Sequence, residues 1–321
     1  MKMTESFCNA SFVDESPVGV VIVECIYISL LSVLGIFGNL FVITVVIYTK
    51  SLHNPHYFFL CNLSGFDLFT NGFLMPIFIT TLIDVNVTAG FCEVIAYLRL
   101  WTVGMVLCTL SLMSFNRFMK VVLKKETYRR FTSKRWILLM IVSTGCITCP
   151  LPLTPLWGFG EVGFNVGLHH CTFTYSYDGW LLAVLLESVG LGVTVLLLFI
   201  TNYVIFKTVR DSKRRVDLQS NSVNKNSFAF NIGTGTVRQK QKDNNKVASI
   251  MLAMIFTFMI CWLPFSIAMF FNQNCTVPVP LLRFMDLLVW TNSTIDPFIY
   301  AYCNSQFLKA VKRLLPNWLN A

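Results

Sequence analysis

Arg99 and Arg117 lie 18 positions apart in an apolar stretch, Phe91 to Lys125, that ends in a basic run. At 3.6 residues per turn the separation is about five turns, so both guanidiniums share one helical face, roughly 27 Å apart along the axis. An arginine facing lipid is costly, so that face must point into protein or a wet cavity. Glu187 and Asp286 place further charges in two other apolar runs, and Asp67 and Asp296 lie near the middle of theirs. The chemistry open to such groups is pairing and binding. Arg99 with Asp286 reads as an internal ion pair that satisfies two otherwise isolated charges. The other reading gives Arg99, Glu187 and Asp286 the task of holding a ligand's carboxylate and amine. No nucleophile–base set or metal cluster is visible, so the chain does not read as an enzyme.

The elements that carry these groups are long and apolar. The 321 residues are 55% hydrophobic and 13% charged, a composition that a soluble domain does not need and a polytopic membrane protein does. Apolar runs at about 18–48, 56–82, 90–122, 136–157, 179–208, 247–272 and 279–302 give seven spans, each long enough for a tilted helix in the lipid bilayer. An all-α seven-helix bundle follows, with residues 1–17 as a polar N-terminal tail and 303–321 as a cytoplasmic amphipathic stretch and tail. The net charge of +9 raises the question of nucleic acid, and its distribution answers it. Of the 25 Lys and Arg, all but Lys2, Arg99 and Arg283 fall on one side of the seven spans. That asymmetry reads as topology, with the N-terminus outside and the C-terminus in the cytoplasm, and no nucleic-acid partner is expected. No cleavable signal peptide is visible. Segment 211–245, rich in Asn, Ser and charge, reads as a mobile loop. No internal repeat appears, which argues against a transporter built from duplicated halves.

Polar residues inside the spans recur in a telling order: Gly38-Asn39, Leu63 with Asp67, Cys92, Asn116-Arg117-Phe118, Cys261-Trp262 before Pro264, Asp296-Pro297 before Tyr300, and Phe307. Over nearly the whole chain they resemble the class A, rhodopsin-like G-protein-coupled receptors. Asn116-Arg117-Phe118 and Cys171-Thr-Phe-Thr are locally similar to melatonin receptors. Departures are Val195 in place of a proline in the fifth span and a fourth span without its mid-helix tryptophan.

The resemblance implies a plasma-membrane receptor that converts an extracellular ligand into activation of a heterotrimeric G protein. It implies a ligand cavity reached by Arg99, Thr102, Val103, Glu187, Trp262, Phe265, Arg283, Asp286 and Trp290. It assigns coupling and activation to Asn116, Arg117, Tyr203, Pro264, Pro297 and Tyr300. Pro264 removes a helical hydrogen bond and should kink the sixth span beside Trp262. An ordinary biogenic amine is disfavoured, because monoamine receptors usually carry an aspartate at the Arg99 position. Asp67, Asn292, Ser293 and Asp296, with Asn39, imply either a hydrated site for a structural Na⁺ or a protonated network without an ion; Val106 replaces a serine hydroxyl of that site. No lysine lies in the seventh span and Trp290 stands where opsins attach retinal, so a retinal cofactor is not expected. The arginine's usual carboxylate partners are missing, since Asn116 precedes it and Asn244 lies at the base of the sixth span. Ligand-independent signalling is the expected result.

Of eleven cysteines, Cys8, Cys92, Cys171 and Cys275 are expected outside, where disulfides form. The resemblance pairs Cys92 with Cys171, leaving Cys8 and Cys275 as a tentative second bridge. Asn9, Asn86 and Asn274 are glycosylation sequons; Asn62 and Asn292 are sequons inside spans and cannot be modified. The alternatives are a seven-helix channel or transporter that uses the intramembrane carboxylates as an ion path, and a photoreceptor with another retinal attachment site.

Overall fold

The computed structural model describes residues 17–83, 87–174, 176–222, 253–254, 256–272 and 276–319. The tentative Cys8–Cys275 bridge, the sequons at Asn9, Asn86 and Asn274, and Asn244 lie outside them. Spans 1 to 5 run Val18–Tyr48, Pro55–Ile83, Ala89–Val122, Lys134–Trp157 and Tyr177–Ser222, each carrying an apolar stretch sufficient to cross a bilayer. Span 6 is an apolar helix over Phe256–Phe271, and span 7 runs Val279–Cys303. Helices are the expected solution, because in hydrocarbon every backbone N–H must be satisfied within its own segment. Large apolar side chains such as Phe37, Phe199 and Phe206 point outward, as they do when lipid is the solvent.

Close approach of spans 1 and 2 is set by two residues. A Cβ on Gly35 would fall 2.1 Å from Asn71 Oδ1, so no larger residue fits without moving that amide. Asn71 lies within a π turn, Thr70–Leu74, that interrupts span 2. Span 4 is α-helical over Lys134–Thr148 and finishes as a 3₁₀ turn over Leu151–Trp157. Pro150, Pro152 and Pro155 account for the change, because each removes a backbone donor.

Span 3 is the axis, packed against spans 2, 4 and 5. Over its outer end lies a hairpin in which β1 (Val162–Asn165) pairs antiparallel with β2 (His170–Phe173), Phe164 opposite Cys171. Asn165 closes the turn: its Oδ1 accepts from Leu168 N at 3.0 Å and its Nδ2 donates to Phe173 O at 2.8 Å. A Cys92–Cys171 disulfide fastens β2 to span 3.

Three features differ from the sequence reading. Residues 211–222 continue span 5 as helix rather than starting a loop; Asp, Lys and Arg tolerate a helix well once an apolar run has nucleated it. A short helix, Lys125–Phe131, lies between spans 3 and 4, where only basic charge was legible. The terminal helix reaches Leu319, and Asn304 caps its start by accepting from the backbone N–H of Gln306 and Phe307, both at 3.1 Å.

Candidate functional site

The outer polar cluster is built on Asp286. Its Oδ1 accepts from Arg99 Nη2 at 2.8 Å. Its Oδ2 accepts from Trp290 Nε1 at 2.8 Å and meets His170 Nε2 at 2.9 Å. Span 7 supplies Asp286 and, one turn on, Trp290; span 3 supplies Arg99; the disulfide-held β2 supplies His170. The Arg99 guanidinium carbon also lies 4.9 Å from the Trp290 ring centroid, and Phe78 stacks on the same indole at 5.2 Å. Arg99 Nη1 stands 3.3 Å from His170 Nδ1. A guanidinium nitrogen only donates, so His170 Nδ1 accepts and its Nε2 carries the proton given to Asp286. A second proton on this ring would face Arg99. Burial first, and Arg99 second, hold the His170 pKa below its ordinary value.

Beside this cluster a cavity of about 490 Å³ runs down between spans 3, 4 and 5. Arg99, Val103, Glu187, Trp262 and Phe265 line it, and most of the remaining lining is aliphatic. Among the described residues Glu187 Oε2 has no hydrogen-bond partner. Asp286 and Trp290 stand behind Arg99 and do not line this cavity. Arg283 is a correction to the sequence reading: it turns away from the cavity and pairs with Glu24 of span 1, both residues buried. An acid alone in the first apolar run was the available signal for that partner.

Below, Asp67, Thr102, Val106, Trp262, Asn292 and Ser293 line a space of about 40 Å³. Asp296 is buried nearby but does not line it. Asn39 Nδ2 and Asn71 Nδ2 donate to Ser293 O at 3.1 and 3.2 Å, and Thr294 Oγ1 donates to Asn71 Oδ1 at 2.8 Å. Asn71, which the motif reading passed over, is the node that joins spans 1, 2 and 7. Both carboxylate oxygens of Asp67 are buried without a hydrogen-bond partner among the described residues. Orphaned hard oxygens beside a small space that Thr102, Asn292 and Ser293 also border fit a monovalent cation.

At the end of the bundle opposite the hairpin, Arg117 is 8% exposed, and its Nη2 donates to His56 Nε2 at 3.1 Å. Asn116 is engaged elsewhere: its Oδ1 accepts from Tyr128 Oη at 3.2 Å. Tyr300 is fully buried beneath, with Oη 3.8 Å from Met113 Sδ, and Pro297 packs close to Gly38. Trp262 stacks on Phe258 at 5.8 Å, one helical turn from it and just before Pro264. Tyr203, which the resemblance assigned to activation, is 59% exposed on span 5 and does not line the cavity around Arg117.

Arg99 and Asp286 should be energetically coupled. Arg99→Met or Asp286→Leu alone leaves a buried charge, at a cost on the order of 3–5 kcal/mol, while the double variant should lose far less than the sum. A thermal-stability double-mutant cycle checks this, and strict additivity would refute it. His170 adds a pH dependence. A histidine whose folded-state pKa lies below its unfolded value of about 6.5 contributes fully above that pH, and its contribution is lost as pH falls below it. The melting midpoint should therefore drop on acidification from pH 7.5 to 5.5, and His170→Gln should flatten that profile.

Comparison with known proteins matches residues 38–300 to the family described as "7 transmembrane receptor (rhodopsin family)". Protein trapped in endoderm-1 of Drosophila melanogaster is 21% identical over 307 residues, covering 90% of this chain and 75% of that protein. Adenosine receptor A3 of Ovis aries is 25% identical over 295 residues, covering 87% and 84%. The fold superposes on the crystal structure of squid rhodopsin with a TM-score of 0.80 at 18% identity, covering 95% of this chain and 88% of that one. With a match that takes in most of its length and a helical bundle of the same fold, the chain belongs to the rhodopsin family of seven-transmembrane receptors.

Proposed function

We propose that this chain is a plasma-membrane receptor, N-terminus outside, that converts binding of an extracellular ligand in the outer cavity into activation of a heterotrimeric G protein at Arg117. The observation that carries this reading is that span 3 lines two cavities at once. One, of about 490 Å³, is bordered by Arg99 and Val103; the other, of about 310 Å³, by Asn116 and Arg117. A helix packed on three neighbours transmits displacement, so filling one end biases the other. The outer lining favours a largely apolar ligand with one cationic group. Arg99 is already balanced by Asp286, and Glu187 is the acid left facing the space. Arg99 at this position argues against a monoamine held in the usual way.

The activity test is guanine-nucleotide exchange in membranes from expressing cells, screened against a ligand library with several G-protein classes. Arg117→Ala should abolish any ligand response at verified surface expression. Because Asn116 bonds Tyr128 rather than offering a carboxylate to Arg117, basal exchange should exceed that of mock membranes. The missing charge-assisted contact, about 1–3 kcal/mol, corresponds to a several-fold or larger rise in active fraction. Asn116→Asp should lower it, and basal exchange equal to mock would refute the idea. Ion current without any G protein would favour a channel instead.

Asp67, Asn292 and Ser293, with Asp296 behind them, are the residues that would hold Na⁺, which would neutralise a buried charge and favour the resting arrangement. Purified receptor should melt higher in NaCl than in N-methylglucamine chloride, and Asp67→Asn should remove the difference. An equal response in the variant would remove Na⁺ from the picture.

A further inference from the structure

The cavity around Arg117 is lined by a concentration of hydrogen-bond donors. Its lining includes Asn54, His56, Asn116, Arg117, Lys120 and Tyr128, and no carboxylate among the described residues. Arg117 donates to His56 Nε2, so that ring nitrogen is an acceptor and the neutral imidazole carries its proton on Nδ1. His56 Nδ1 and Arg117 Nε are both buried, and neither has a hydrogen-bond partner among the described residues. Two N–H groups taken out of water without an acceptor are costly, the charged one more so. Asn116 cannot relieve them, since its carbonyl oxygen already accepts from Tyr128.

Backbone adds to the same field. Span 2 starts at Pro55 with Asn54 at its N-cap, and Asn54 makes no side-chain capping bond. Asn54, Pro55, His56 and Tyr57 all line the cavity, so the positive end of a long helix opens onto it. Helix terminus, guanidinium, ammonium and imidazole N–H therefore converge on one space of about 310 Å³.

We propose that this cavity binds a phosphate-class anion, either free inorganic phosphate or the phosphorylated headgroup of an inner-leaflet lipid. The anion takes the place of the carboxylate that Arg117 lacks and ties span 3 to the start of span 2. Phosphate suits the site because it presents several acceptor oxygens to donors spread over different elements. Binding is independent of the signalling assignment. If the chain couples as proposed above, an occupant here competes for Arg117 and acts as a brake from the cytoplasmic side.

The test uses the full chain in nanodiscs and follows melting by intrinsic fluorescence. In one arm, discs of phosphatidylcholine receive inorganic phosphate in exchange for chloride at constant ionic strength. In the other, discs carry a phosphoinositide or, at matched charge, phosphatidylserine. Stabilisation in the first arm assigns the free ion; stabilisation by phosphoinositide but not phosphatidylserine assigns the headgroup. In either case the apparent affinity should fall about tenfold or more in Arg117→Gln, the loss expected for a charge-assisted contact. Lys120→Gln, at an exposed position, should weaken binding without threatening the fold and decides the matter if Arg117→Gln does not fold. No response in either arm overturns the proposal. So does a phosphate response unchanged in Lys120→Gln, and so does phosphatidylserine matching phosphoinositide, which would mark general surface charge.

Discussion

A charge in hydrocarbon must meet its complement, and most of the bundle's specific geometry follows from that constraint. Span 7 shows it at successive depths. Arg283 reaches Glu24 of span 1, and one turn deeper Asp286 takes Arg99, His170 and Trp290. Further in, the Ser293 carbonyl accepts from Asn39 and Asn71, and at the cytoplasmic end Asn304 Nδ2 donates to Tyr57 Oη at 3.1 Å. Apolar packing does not tell one helix rotation from another, because lipid is as apolar as leucine. These polar contacts do, and they fix which face of span 7 looks inward.

The hairpin belongs to the same logic. Its disulfide anchors β2 to the outer end of span 3, and the strand register then delivers His170 one residue before Cys171. His170 serves both partners because its two ring nitrogens have opposite roles, one accepting from a cation and one donating to an anion. A lid so held leaves the large cavity reaching down beside spans 4 and 5, where its lining turns aliphatic.

Much of this was legible in the chain and some was not. Apolar run lengths located the spans; the family resemblance put Arg99 and Asp286 in one cavity, and the cost of isolated charge then paired them. Glu24 was equally visible as the acid within the first run, yet nothing in spacing says which of three arginines an acid will meet. His170 could not be found that way, because its position depends on strand register and a cross-link rather than helical period. Tyr203 was carried over from the resemblance, and its exposure on span 5 is set by helical phase, which composition does not reveal. The π turn at Thr70–Leu74 left no mark in the sequence pattern, since one extra residue in a helix shifts phase without changing composition.

Span 5 is 46 residues long, about 69 Å at 1.5 Å per residue, against a hydrocarbon core of roughly 30 Å. Its apolar part ends by Thr208, so the helix carries on to Ser222 as a rod of about 20 Å beyond the apolar span, with Arg210, Lys213, Arg214 and Arg215 in its sequence. A rod pivoting within the membrane magnifies small motions: a tilt of about 5° at its base swings the tip by about 2 Å. A slight rearrangement around Glu187 and Val193, too small to change which residues touch, would by that geometry displace the far end of the helix by a distance several times larger.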